Sequence, residues 1–205
     1  MSSTHKLEDR LPDDFYVTPQ RMIKLFLKEF DADTHIIGRL NTGKGIVLDP
    51  AAGGSPYVEM SYPSALSGSL TRPVKTMDIR DDSLADIKGD YLETRLDYEP
   101  DMIITNPPFL HAMDFIRKAL EDVKEGGYVV MLLRLNFLGS IKRSAWLRVN
   151  PPAFIYVHSR RPGFFPSKPT KTDSTEYAHF VWKKGMLHTF SQLREIGRAS
   201  CRERV

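Results

Sequence analysis

Cysteine is nearly missing from this chain: Cys201 is the only one. An internal disulfide is excluded, and no cysteine–histidine spacing of the zinc-holding kind occurs. Long apolar runs are missing too. None approaches the roughly 18 residues of a membrane-spanning helix. The opening MSSTHKLEDRLPDDF has no apolar signal core, so a cytoplasmic protein is expected. Net charge is only +3, so affinity for nucleic acid has to come from local clustering. The dinucleotide fingerprint G-x-G-x-x-G is absent, which argues against a nicotinamide enzyme. There are no internal repeats. What is present is 41% hydrophobic and 27% charged residues, enough to bury one core of ordinary size.

The end of the chain stands apart. EIGRASCRERV, Glu195 to Val205, resembles translated sequencing-adapter DNA and shows no apolar periodicity. The expectation is a single domain over residues 1–194 and a non-native tail over 195–205, whose removal leaves fold and activity unchanged.

Short apolar runs alternate with amphipathic segments, the pattern of a parallel α/β sheet. TPQRMIKLFLKEF, Thr18 to Phe30, reads as a helix capped by Thr18, with Pro19 in its first turn and Met22, Ile23, Phe26, Leu27 and Phe30 on one face. Strands are expected at Gly45–Asp49, Pro73–Ile79, weakly at Tyr91–Leu92, at Asp101–Thr105, Tyr128–Leu135, Ala153–Val157 and Glu176–Trp182. A second helix is expected over Ala112–Val123, ending before Gly126–Gly127. This gives a Rossmann-like, mostly parallel seven-stranded sheet with helices on both faces. Such sheets bind ligands beyond the carboxyl ends of their strands, so the segments after Asp49, Asp78, Leu92 and Thr105 share one rim.

Each of those segments carries ligand-competent residues. In VLDPAAGGSPY an acid, Asp49, ends a strand and glycines follow, letting backbone approach a ligand closely; a plain tight turn would read the same. Asp78 ends the second strand, where an acid bonds ribose hydroxyls in nucleotide folds; a solvated acid is the plainer alternative. In GDYLE, Asp90 is a candidate acceptor for an adenine amino group and Tyr91 a cover for the ring, or the two form a surface turn. TNPPF, Thr105 to Phe109, stops a buried strand abruptly. Proline has no N–H and cannot extend a ladder, and the residues before each proline stay extended. The carbonyls of Asn106 and Pro107 and the Asn106 side chain are left for an outside donor, with the Phe109 ring beside them.

NPPF after the fourth strand, DPAAGG after the first and FYVTPQ upstream resemble amino-group methyltransferases that use S-adenosylmethionine. The closest likeness is to small phage-type N6-adenine DNA methyltransferases, over roughly residues 15 to 183. The resemblance implies S-adenosylmethionine as cofactor, DNA as partner, no metal, and a bacterial or phage-infected host cell. It places Phe15, Tyr16, Thr18, Pro19, Asp49 and Gly53 at the methionine end, Asp78 at the ribose, and Asp90 with Tyr91 at the adenine. By the same resemblance Asn106 and Pro107 hold the target amino group, Phe109 stacks on the base, and Pro108 between them belongs to the same catalytic motif. Ser55 stands where the family has glycine, which leaves Gly54 to make the turn. The same motif serves enzymes acting on RNA adenine N6 or guanine N2 and on protein glutamine, and a cofactor-binding protein without catalysis is a further alternative. Too few residues precede Gly45 for a separate binding module, which favours DNA.

A basic loop follows the sixth strand. HSRRPGFFPSKPTKTDS carries Arg160, Arg161, Lys168 and Lys171 with no acid before Asp173, and Phe164 and Phe165 interleave. Cations with aromatics suit phosphates and an unstacked base, so this loop is the expected nucleic-acid surface. The competing reading is a solvated loop whose phenylalanines enter the core.

Overall fold

The apolar runs form the middle of a layered α/β unit. The computed structural model describes residues 16–164, 174–186 and 189–197. Helices α1 (Gln20–Thr34) and α2 (Ile36–Thr42) precede β1 (Val47–Asp49). There follow α3 (Ser61–Leu66), β2 (Lys75–Asp78), β3 (Ile87–Lys88), β4 (Met102–Thr105), α4 (Ala112–Asp122), β5 (Tyr128–Arg134), α5 (Ile141–Val149), β6 (Phe154–His158), β7 (Tyr177–Lys183) and β8 (Gln192–Ile196).

The sheet runs β3-β2-β1-β4-β5-β7-β6-β8. From β3 to β5 every pairing is parallel, β7 is antiparallel between β5 and β6, and β8 is parallel to β6. The chain moves outward from β1 to β3 and then returns to lay β4 on the other side of β1. That reversal opens a crevice at the carboxyl ends of β1 and β4, where open α/β sheets take their ligands.

Strands buried on both faces need cover on both. On one side Ile23, Phe26 and Phe30 of α1 pack with Val47, Met102, Ile104, Val130 and Val181. On the other Phe115, Ile116 and Ala119 of α4 pack with Leu48, Ile103, Val129 and Met131. The five apolar residues expected on α1 are the five it buries, as the 3.6-residue period requires.

Four expectations are corrected. Among the described residues the sheet has eight strands, not seven. The third is Ile87–Lys88, whereas Tyr91 and Leu92 lie in the turn that follows. Glu195 and Ile196 belong to β8, with Ile196 buried and paired in register with His158, so the packed fold runs past residue 194; residues 198–205 lie outside the described residues. Finally, Pro19 rather than Thr18 is the N-cap of α1, and no side chain caps it. Among the described residues no helix is long and apolar enough to cross a membrane, and no group of three or more His, Cys, Asp or Glu could hold a metal ion.

Candidate functional site

One cleft sits at the β1/β4 reversal. Its empty space, counted to the open mouth, is about 880 Å³. Of the residues singled out from sequence, Tyr16, Thr18, Asp49, Gly53, Asp78, Asp90, Tyr91, Asn106 and Pro108 line it. Pro19, Pro107 and Phe109 are not among the lining residues. Phe15, Phe165, Lys168 and Lys171 lie outside the described residues.

The floor is the turn after β1. Gly53 and Gly54 have φ of 65° and 75°, a region that favours glycine. A Cβ on Gly54 would come within 2.7 Å of Met60 Cγ. The glycine pair makes the turn, and Ser55 lies beyond it, closing a small loop onto Val58 by paired backbone hydrogen bonds. Asp78 braces this turn: its Oδ2 accepts from Gly53 N–H at 2.7 Å and its Oδ1 from Arg80 N–H at 2.9 Å. A carboxylate has lone pairs beyond those two, so Asp78 still has capacity toward the cleft. Asp90 accepts from Leu92 N–H at 2.9 Å through Oδ1, fixing the turn after β3.

The most informative atoms lack partners. Thr18 Oγ1, Asp49 Oδ2 and Asn106 Oδ1 are buried without a hydrogen bond among the described residues. Buried polar atoms are normally paired, so three orphans around one cleft mark a place built for a polar ligand. The Asn106 amide is oriented: its Nδ2 donates to the Tyr16 carbonyl at 3.4 Å, which leaves Oδ1 as the spare acceptor. Asp49 is 1% exposed. Burial pushes its carboxyl up to about 7, the Thr105 hydroxyl and the Ala51 N–H pull the other way, and the nearby Asp78 adds to the rise.

Some expected roles are corrected. The Tyr91 ring is buried against Phe115, centroids 5.3 Å apart, and offers no open face to a ligand. Phe164 is in the core, edge-on to Tyr177 and Tyr16, not displayed on a loop. Arg161 is ion-paired with Glu176, Nε to Oε1 at 3.0 Å. The basic loop is therefore partly neutralised, by an acid just beyond the stretch that appeared free of them. Arg160 is exposed. Phe109 is half-buried, with the Arg134 guanidinium 5.0 Å from its ring centroid and Tyr177 at 5.9 Å.

Tyr62 is a lining residue the sequence reading missed. Its hydroxyl lies 3.0 Å from His179 Nε2, and His179 Nδ1 lies 2.8 Å from His158 Nε2. A neutral His179 carries one N–H, so the chain of bonds runs one way, with either Tyr62 or His158 donating into it. Phe26 stacks on the His179 ring at 4.0 Å. The cleft wall is thus tied through the sheet by a wholly buried network. A histidine within a strand buried on both faces is the signal that could have revealed it, because such a group requires a partner.

This network sets a pH dependence. Burial lowers His158 from 6.5 to about 4, and His179 well below its ordinary value. The unfolded chain protonates both near 6.5 while the fold does not, so their contribution to stability is full above that pH and is lost as pH falls toward 4. Each histidine supplies up to about 1.4 kcal/mol per pH unit. Asp49 acts oppositely, because the fold keeps its proton up to about 7 and the unfolded chain releases it near 3.8. Asp49→Asn is therefore expected to steepen the rise of unfolding free energy between pH 4.5 and 6 by about 1.4 kcal/mol per pH unit. Urea unfolding at several pH values reads this, and equal slopes in the two proteins would refute the buried, protonated carboxyl.

No family model matches the chain, and no curated protein matches it. Solved structures do. A modification subunit, provisionally described as belonging to a type I restriction enzyme, from Vibrio vulnificus YJ016 superposes with a TM-score of 0.59 at 15% identity, covering 92% of this chain and 48% of that one. A protein provisionally described as a class I S-adenosylmethionine-dependent methyltransferase from Listeria monocytogenes gives 0.56 at 14% identity, covering 87% and 65%. One provisionally described as an RNA methyltransferase from Pyrococcus horikoshii gives 0.55 at 16% identity, covering 77% and 82%. At these identities the likeness is one of fold. The chain spans less than two thirds of the Vibrio and Listeria proteins.

Proposed function

We propose that this chain is an S-adenosylmethionine-dependent methyltransferase acting on the exocyclic N6 of adenine in DNA. The observation that carries the reading is Asn106: its amide N–H₂ is tied to the Tyr16 carbonyl and its buried Oδ1 is left without a partner in a cleft at the strand ends. The solved structures support the reading at the level of fold, since two of them are described as methyltransferases and one as a modification subunit.

The cleft fits the cofactor. Asp49 Oδ2 and Thr18 Oγ1 are orphaned polar atoms suited to its charged methionine end. Asp78 has acceptor capacity left for ribose hydroxyls, and Asp90, Leu92 and Phe115 would flank the adenine. When bound, S-adenosylmethionine supplies an electrophilic methyl group on a positive sulfur. The chain's task is then to make a poor nucleophile attack. An adenine amino nitrogen has its lone pair delocalised into the ring. Asn106 Oδ1 and the Pro107 carbonyl would accept its two hydrogens and turn the lone pair out of the ring plane. Asn106 and Pro107 bring no covalent chemistry; they orient the amine and stabilise the positive charge that develops on it. In duplex DNA the base has to leave the stack to reach them.

Transfer of labelled methyl from S-adenosylmethionine to DNA, RNA and protein in parallel, followed by nucleoside and amino-acid analysis, tests the proposal. The expected result is label in N6-methyladenine from DNA. Label in RNA bases or in glutamine instead would assign the same pocket to a different substrate and overturn the DNA reading.

A further inference from the structure

Two glycines in succession make a turn with many shapes open to it. Gly53 and Gly54 both hold left-handed backbone, and glycine loses more conformational freedom than any other residue when it is fixed. Ala51, Ala52 and Gly53 of this segment line the cleft. A ligand that needs the turn in one shape therefore needs something else to hold it there.

The segment after β2 does the holding. Asp78 Oδ2 accepts from Gly53 N–H at 2.7 Å, and Leu84 N–H donates to the Gly53 carbonyl at 3.3 Å. Arg80 adds a tie one residue further along, its Nη2 donating to the Gly54 carbonyl at 3.3 Å. Asp82 aims that guanidinium: its Oδ1 accepts from Arg80 Nε at 3.0 Å and from Nη2 at 2.7 Å. The Arg80 backbone N–H meanwhile donates to Asp78 Oδ1 at 2.9 Å. Arg80 thus acts twice, orienting the Asp78 carboxylate with its main chain and clasping the glycine turn with its side chain. An ordinary surface ion pair would leave both partners in water. Here the Arg80 side chain is 10% exposed and that of Asp82 is 69% exposed, and Arg80 lines the cleft. The cation is turned into the cleft wall and the acid steers it from outside.

We infer that Arg80 is a positioning residue for S-adenosylmethionine, holding the Gly53–Gly54 turn and Asp78 ready for the ligand, an assignment that rests on the cofactor half of the methyltransferase reading and on nothing about DNA or adenine. Without the guanidinium the turn is free to leave its binding shape, and each binding event has to restore it. Affinity falls by the fraction of molecules that keep the competent shape, so a turn that is competent in about one molecule in ten gives an affinity about tenfold weaker. Asp82 does not line the cleft and acts only by aiming Arg80. Its removal is therefore expected to weaken affinity less, by about threefold, and to have no effect once the guanidinium is gone. Lysine offers one charged centre where arginine offers a planar fork, so it can reach the Gly54 carbonyl or Asp82 but does not reproduce both bonds. It is expected to restore part of the loss.

Calorimetry with S-adenosylmethionine on the full chain tests this without a methyl acceptor. Arg80→Met keeps most of the aliphatic bulk and is expected to bind about tenfold more weakly than wild type, Asp82→Ala about threefold, the double variant no more weakly than Arg80→Met, and Arg80→Lys between Arg80→Met and wild type. Amide hydrogen exchange in the unliganded variants separates a loosened turn from a weakened fold. Residues 53–55 are expected to exchange faster in Arg80→Met and Asp82→Ala, and Ile103 in β4 to exchange as in wild type. Unchanged affinity in both single variants overturns the inference. So do additive losses in the double variant, or exchange that quickens equally in β4, which would make the role one of general stability. Should Arg80→Met fail to fold, Asp82→Ala decides alone, since it alters an exposed side chain, and wild-type affinity in that variant overturns the inference. A wild type that binds no S-adenosylmethionine removes the cofactor reading and this assignment together. The expected ratios in a wild type that binds it but labels no adenine uphold Arg80 and remove only the substrate reading.

Discussion

Asn106→Ala is expected to slow methyl transfer by about 100-fold or more while S-adenosylmethionine binds within a few-fold of wild type. The amide is held at one end by the Tyr16 carbonyl, 3.4 Å from Nδ2, and its Oδ1 is buried with no partner. An acceptor fixed in advance is the kind whose loss appears in the chemical step, because nothing has to reorganise when charge develops. Alanine removes both the acceptor and the tether to Tyr16. Asn106→Asp separates the two functions. It keeps acceptor oxygens but cannot donate to the Tyr16 carbonyl, so it is expected to retain part of the rate with a looser fit. Single-turnover transfer of labelled methyl at saturating cofactor reads the chemical step directly. A rate within a few-fold of wild type for the alanine variant would dispose of the amino-group grip.

How far the sequence reached depends on where each signal lives. Met22, Ile23, Phe26, Leu27 and Phe30 repeat at helical period, and all five are buried. The runs MIIT and YVVMLLR are buried along almost their whole length, so they read as strands without help from context. Strand β8 could not be read this way. Of its five residues only Ile196 is buried, and an edge strand with four exposed side chains has no alternation to detect. Strand β3 is two exposed residues paired to β2, so no apolar pattern marks it.

The candidate site divides along the same line. Asp49 and Asp78 were legible because each ends a strand and Asn106 because it follows one, and strand ends in such sheets converge; Asp90 was singled out ahead of a third strand expected at Tyr91–Leu92, whereas in the structure it follows β3. Tyr62 was not, since it comes from a six-residue helix and meets His179 from 117 residues away. Phe164 illustrates the opposite error. Aromatics among basic residues look like a base-stacking loop, but an apolar ring gains about 1.5–3 kcal/mol from burial, and Phe164 lies against Tyr177. Arg161 misled for a related reason: its partner Glu176 lies beyond the segment whose charge was counted.

S-adenosylmethionine affinity is expected to be about 50-fold weaker at pH 5 than at pH 7 and to release close to one proton on binding at pH 6. The cause is Asp49. Its carboxyl is 1% exposed and pushed up to about 7 by burial, so below that pH the empty cleft holds it neutral. A cationic ligand at Oδ2 favours the ionised form, so binding has to expel the proton. Affinity then falls tenfold for each pH unit below 7 and levels off above it. Burial, with the nearby Asp78 adding to it, keeps the carboxyl neutral, and the orphaned Oδ2 is where the opposing charge would enter. Asp49→Asn has no proton to lose, so its affinity is expected to be weaker at pH 7 and flat between pH 5 and 7. Calorimetry in two buffers of different ionisation enthalpy counts the protons directly. A wild-type affinity that stays constant from pH 5 to 7, or a proton count that Asp49→Asn leaves unchanged, would move the cationic end of the ligand away from Asp49.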